Sequence, residues 1–104
     1  MKKQYLYVTK EEGILIPHFV VSENRKTVQK KYGVCIDNIY DYNMILRVKD
    51  WYYRVYGQKI VVSEIYGIYF MDFKNKEYVK NFSQFREIVN DYRNREWGVY
   101  KWEN

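Results

Sequence analysis

Two β-rich stretches open the chain, residues 4 to 9 (Gln-Tyr-Leu-Tyr-Val-Thr) and residues 14 to 21 (Ile-Leu-Ile-Pro-His-Phe-Val-Val), with polar Lys10-Glu11-Glu12-Gly13 between them. This arrangement predicts a β-hairpin. Pro17 has no amide to give to a ladder, so the second strand must lie on an edge or break there. Ser22 as cap, Gly33 as left-handed terminator and the Lys30-Lys31 pair at the negative end of the dipole predict a helix over residues 23–32. Its apolar face is thin, Val28 and Tyr32, so it should rest on the domain surface.

Residues 34–49 carry a helical stripe through Ile36, Ile39, Tyr40, Asn43 and Met44, which predicts a helix from about Asp37 to Leu46. From Trp51 the composition returns to aromatic and β-branched residues. The expectation is a hairpin of Trp51–Tyr56 and Lys59–Ile65 around a Gly57-Gln58 turn, then a strand over Ile68–Phe73. Phe85, Ile88, Val89 and Tyr92 recur at i, i+3, i+4 and i+7 behind Ser83, predicting a helix over residues 84–94 whose apolar stripe faces the sheet. A short strand, Trp97–Trp102, would close the sheet. The sum is an α+β domain: a mainly antiparallel sheet of five to six strands with two or three helices, the C-terminal helix packed on the sheet.

The 104 residues suit one domain, residues 1–104, and no internal repeat or linker divides them. Apolar residues make up 47% of the chain and charged ones 30%, a balance that supports a core and argues against disorder. No apolar run approaches the roughly 18 residues of a membrane span. Lys10, Glu11 and Glu12 interrupt any hydrophobic leader after the basic start, so a cytoplasmic protein is expected. Cys35 is the only cysteine, which rules out an intrachain disulfide and fits a reducing compartment. Its apolar neighbours Val34 and Ile36 suggest a small buried side chain.

Alanine is absent and there is one proline, against 13 tyrosines and many Lys, Asn and Ile. That bias follows AT-rich codons and points to a low-GC bacterium or its phages and mobile elements. It also inflates Lys and Tyr without selection for binding. The net charge of +5 favours an anionic partner.

Few residues suggest catalysis. A single histidine, His18, cannot anchor a histidine-based metal site, and there is no phosphate-binding glycine loop, nucleophile elbow or His-Glu-x-x-His element. Neither an enzyme nor a cofactor is expected. The remaining catalytic pattern is Asp50 with Asp72 and Lys74, a set that could hold a divalent ion as in metal-dependent nucleases, although Asp72–Lys76 reads equally as a polar turn.

Two further patterns concern binding. Lys26 to Tyr42 (Lys-Thr-Val-Gln-Lys-Lys-Tyr-Gly-Val-Cys-Ile-Asp-Asn-Ile-Tyr-Asp-Tyr) resembles a helix-turn-helix, with Val28 and Tyr32 packing the first helix, Gly33 making the turn, and Val34 and Ile39 packing the second. It departs from that pattern at Gln29, where a small residue is usual, and at the segment Asp37, Asn38 and Asp41, where the two aspartate carboxylates would repel phosphates. The second pattern is aromatic density among cations: Trp51, Tyr52, Tyr53 and Tyr56 with Arg54 and Lys59, then Trp97, Tyr100 and Trp102 with Arg95 and Lys101. Strand alternation would put Tyr52, Arg54 and Tyr56 on one face, with Lys59 extending its rim and Arg25, Lys26, Lys30 and Lys31 as a second basic cluster. These residues form the expected binding surface for nucleic acid or a nucleic-acid-handling complex, presented by a monomer or weak dimer. The alternative is a phage or mobile-element protein that inhibits a host defence nuclease by protein–protein contact through the same surface. A small metal-dependent nuclease ranks third.

Overall fold

The computed structural model describes the backbone of residues 1–72 and 74–103 and the side chains of residues 1–72 and 74–95. The described residues are α+β, with six strands and three α-helices. The strands form two three-stranded antiparallel sheets rather than one larger sheet.

The first sheet begins with the expected hairpin, β1 (Lys3–Glu11) and β2 (Ile14–Ser22), paired from Lys3↔Ser22 to Glu11↔Ile14. The connection is shorter than the sequence suggested. Glu12 and Gly13 alone make the loop, with φ of 51° and 81°, the left-handed pair that matches strand twist in a two-residue turn. Pro17 lies on an edge strand as expected, because the sheet order is β2-β1-β3.

Helix α1 (Arg25–Tyr32) ends at Gly33 with φ of 67°, but Asn24, not Ser22, caps its start, accepting from the Thr27 amide at 2.9 Å. Ser22 is buried and donates to the Asn24 carbonyl. Beyond Gly33 the first half of the predicted helix Asp37–Leu46 gives way to a single 3-10 turn (Ile36–Asn38) and strand β3 (Ile39–Asp41), which pairs with β1, while its second half, from Tyr42, is helical as expected. Ile39 and Tyr40 point to opposite faces of the sheet, and both are buried. That two-sided burial is what a strand offers here and a helix does not. No second helix follows Gly33 directly, so the resemblance of residues 26–42 to a helix-turn-helix does not extend to the structure. Cys35, expected to be buried, is exposed.

Asp41 caps helix α2 (Tyr42–Tyr56), accepting from the amides of Asn43 at 2.8 Å and Met44 at 3.4 Å. The helix therefore runs through Trp51–Tyr56, expected as a strand, and Gly57 is its left-handed terminator, not the tip of a hairpin. Ile45, Val48 and Trp51 are its buried residues, three apart in each case, and this stripe overrides the β preference of the aromatic run.

The second sheet comprises β4 (Lys59–Ser63), β5 (Gly67–Met71) and β6 (Lys76–Tyr78), in that order. Its central strand meets β2 at Gly67, where a Cβ would stand 2.5 Å from Ile14 Cγ2 and 2.8 Å from the Leu15 carbonyl, and φ is 92°. Only glycine allows the two sheets to approach this closely.

Helix α3 spans Phe82–Glu103 and takes in Trp97–Trp102, expected as a closing strand. Arg93-Asn94-Arg95-Glu96 offers no proline and no cap to stop the helix before it. Its start is fixed by Asn81, not Ser83: Asn81 accepts from the Gln84 amide at 2.7 Å, while the Gln84 side chain accepts from the Lys80 amide at 3.3 Å. Phe85 and Val89 are buried, whereas Ile88 and Tyr92 are half-buried against the same core.

The main core draws on both sheets and both long helices: Leu6, Val8, Leu15, Tyr40, Ile45, Val48, Ile60, Ile68, Phe70, Val79, Phe85 and Val89. A smaller cluster of Tyr5, Val28 and Ile39 lies under α1, on the other face of the first sheet. No helix among the described residues is long and apolar enough to cross a membrane.

Candidate nucleic-acid and partner interface

Because Trp51–Tyr56 is helical, the set Tyr52, Arg54 and Tyr56 does not share a face. A helix brings i and i+4 together, and the Tyr52 and Tyr56 rings lie 4.6 Å apart while Arg54 projects elsewhere. Arg54 is exposed and pairs with Asp50 at 3.2 Å, a surface contact of small energetic weight. Tyr52 is half-buried, stacks on Phe70 at 5.4 Å and donates to Gln58 Oε1 at 3.4 Å. Burial, and secondarily Tyr56, raises its phenol pKa.

The same helical period assembles a different site. Leu46, Lys49, Asp50 and Tyr53 fall at i, i+3, i+4 and i+7 of α2, and with Lys59 and Ile60 of β4 they line an open groove of about 400 Å³. Tyr53 is 58% exposed and Leu46 42%, large apolar surfaces left to solvent beside two lysines. Lys49 is half-buried. That burial, and next the charge of Lys59, pulls its ammonium below the ordinary lysine pKa. The one carboxylate of the groove, Asp50, is already engaged by Arg54. Two like charges thus face a concave, partly apolar surface, an arrangement that an incoming anion relieves.

The second expected cluster divides by role. Arg25 is exposed at its residue level, yet its guanidinium donates to the carbonyls of Ile39 at 3.1 Å and Ile36 at 2.6 Å and so ties α1 to the segment before α2. It is a structural residue. Lys26, Lys30 and Lys31 are exposed on α1, with Lys31 5.5 Å from the Tyr32 ring centre. Tyr32, Tyr7 and His18 form a continuous stack, at 4.9 Å and 4.7 Å, on the outer face of the first sheet. His18 Nε2 is 2.8 Å from Thr9 Oγ1.

The residues of the nuclease pattern have other tasks. Asp50 pairs with Arg54, and Asp72 accepts from the amides of Asn75 and Lys74 in the turn after β5. These amides, Asn75 first, hold its carboxyl below the usual carboxylate range. Among the described residues no group of three or more His, Cys, Asp and Glu side chains is placed to hold a metal ion. The side chains of Trp97, Tyr100, Lys101 and Trp102 lie outside the described residues.

Of the expected site residues, then, Lys59 alone enters the groove. Lys49, Tyr53 and Leu46 were missed because the predicted helix ended at Leu46, although their spacing of three, four and seven was legible once the helix was continued. Comparison of this chain with known protein families, curated proteins and solved structures finds no match to any of them.

Proposed function

We propose that the protein is a non-enzymatic binding module of the cytoplasm that associates with nucleic acid, or with a complex that handles it, through the groove between α2 and β4. The observation that carries this reading is the pair Lys49 and Lys59 beside exposed Tyr53 in one concave surface. Phosphates sit between the two ammonium groups, and the Tyr53 ring supplies a stacking face for an unpaired base. Base–aromatic stacking of that kind contributes about 1–3 kcal/mol and tolerates any sequence. A single strand fits better than a duplex, since a duplex has no free base face to offer.

Fluorescence anisotropy with a labelled single-stranded oligonucleotide tests the reading. Lys49→Glu with Lys59→Glu is expected to weaken binding at least tenfold and to flatten the salt slope by about 1.4, the loss of two single-strand phosphate contacts. Tyr53→Ala is expected to weaken binding without changing that slope. Equal affinity of wild type and both variants would overturn the assignment.

A second reading, inhibition of a host defence nuclease by protein contact, draws on a different surface. The β4–β5 turn presents Ile65 at 80% and Tyr66 at 59% exposure, side by side at the tip of the second sheet. Exposed apolar anchors of this kind suit a protein interface. A partner that survives nuclease treatment and is lost on Ile65→Asp would favour it.

A further inference from the structure

A second concave surface lies between α2, α3 and β5, about 400 Å³ in volume, and shares no residue with the lysine groove. Its walls are aromatic: Trp51, Tyr52 and Tyr56 of α2 and Phe70 of β5. Its α3 side carries Glu87 and Asp91, one turn apart, with no cationic side chain among its lining residues. Aromatic faces present negative charge, and two carboxylates above them add to it, so the cleft attracts cations and repels phosphates. Glu87 has no ion-pair partner among the described residues.

The molecule itself shows which cation the surface accepts. One turn beyond Asp91, the Arg95 guanidinium lies 5.8 Å from the Trp51 ring centre and 5.9 Å from that of Tyr56, and its Nε is 3.2 Å from Asp91 Oδ1. A planar cation thus lies by the aromatic wall while its edge donates to a carboxylate. A planar cation that can lie by an aromatic ring while its edge donates to a carboxylate is what arginine offers and lysine does not. Arg95 engages Asp91, which also accepts from the Tyr56 hydroxyl at 3.4 Å, but leaves Glu87 and the exposed part of the Tyr56 ring open.

We propose that this cleft receives an arginine side chain from a basic protein partner, and that Arg95 partly occupies the aromatic wall and competes with it. The incoming guanidinium lies against the exposed Tyr56 ring and donates to Glu87. The site is independent of the nucleic-acid reading, and either can fail alone. A protein that binds nucleic acid is rich in surface arginine, so a complex of the two would offer a ligand to each face of α2.

The test is an NMR titration of the full chain with N-acetyl-arginine N-methylamide, following the Trp51 indole and the Tyr52 and Tyr56 ring signals at low ionic strength. The citrulline analogue, neutral but of the same shape, is the control. Saturable shifts with the arginine probe alone are expected. Glu87→Gln should weaken them, and Arg95→Ala should tighten binding about two- to fivefold by removing the internal competitor. Both changes are at exposed positions, and circular dichroism checks that the fold is retained. Absence of saturable shifts in both wild type and Arg95→Ala overturns the proposal. So does an equal response to citrulline, and an equal response to the matching lysine probe overturns the choice of arginine.

Discussion

At the scale of single residues, Tyr40 carries the clearest titration signature. Its side chain is buried under Phe85, whose ring meets it edge-on at 5.0 Å, and its hydroxyl finds no hydrogen-bond partner among the described residues. Burial pushes its pKa from 10.0 up to about 12, and the neighbouring Arg86 charge offsets only part of that. Below the lower value the phenol is neutral in folded and unfolded chains alike. Between the two values only the unfolded chain releases the proton, so stability is whole below about pH 10 and declines as pH rises to about 12. Two pKa units correspond to about 2–3 kcal/mol. Tyr40→Phe should remove most of that alkaline decline while changing stability at neutral pH by about 1 kcal/mol or less, because the hydroxyl has at most a weak contact with the Arg86 guanidinium beside it. Urea unfolding on either side of the window, compared with wild type, reads both numbers.

At the scale of elements, legibility followed how much of a pattern was local. The β1–β2 hairpin was readable because its two apolar stretches flank a turn that ends in glycine. The core of α3 was readable because Phe85, Ile88, Val89 and Tyr92 keep the helical period. Refinement came from packing: Phe85 and Val89 are buried while Ile88 and Tyr92 remain half-buried. Phe85→Ala should therefore cost about 3–5 kcal/mol, and Ile88→Ala clearly less than a full cavity, a ranking that thermal unfolding of the two variants decides. Strand β3 was not legible, and of helix α2 only the first residues, Tyr42–Leu46, were. Ile39 and Tyr40 fit a helical stripe in sequence, and only pairing with β1 makes them a strand. The aromatic run Trp51–Tyr56 has strand composition, but Asp41 starts a helix that the spacing of Ile45, Val48 and Trp51 carries through it. That one change of period moved the candidate site. It separated Arg54 from Tyr52 and Tyr56, and it brought Lys49 and Tyr53 to Lys59, so the basic and aromatic character of the region was visible in the sequence but its grouping was not.

At the scale of the whole molecule, the surplus of positive charge is not spread evenly around α2. The groove toward β4 presents Lys49 and Lys59, and the cleft toward α3 presents Glu87 and Asp91. One helix thereby separates surfaces of opposite preference. The outer margin of the first sheet is organised just as definitely. The Phe19 amide donates to Glu64 Oε1 of the β4–β5 turn at 3.4 Å, so the odd positions of β2 turn their amides away from β1. Pro17 shares that parity and has no amide to show. Between a proline and a carboxylate clasp, two of the donors that would recruit a further strand are withdrawn. Both features work against the hairpin pairing with another copy of itself. Pro17→Val combined with Glu64→Ala should restore those donors and promote edge-to-edge self-association, seen as concentration-dependent growth in sedimentation or light scattering beyond that of wild type.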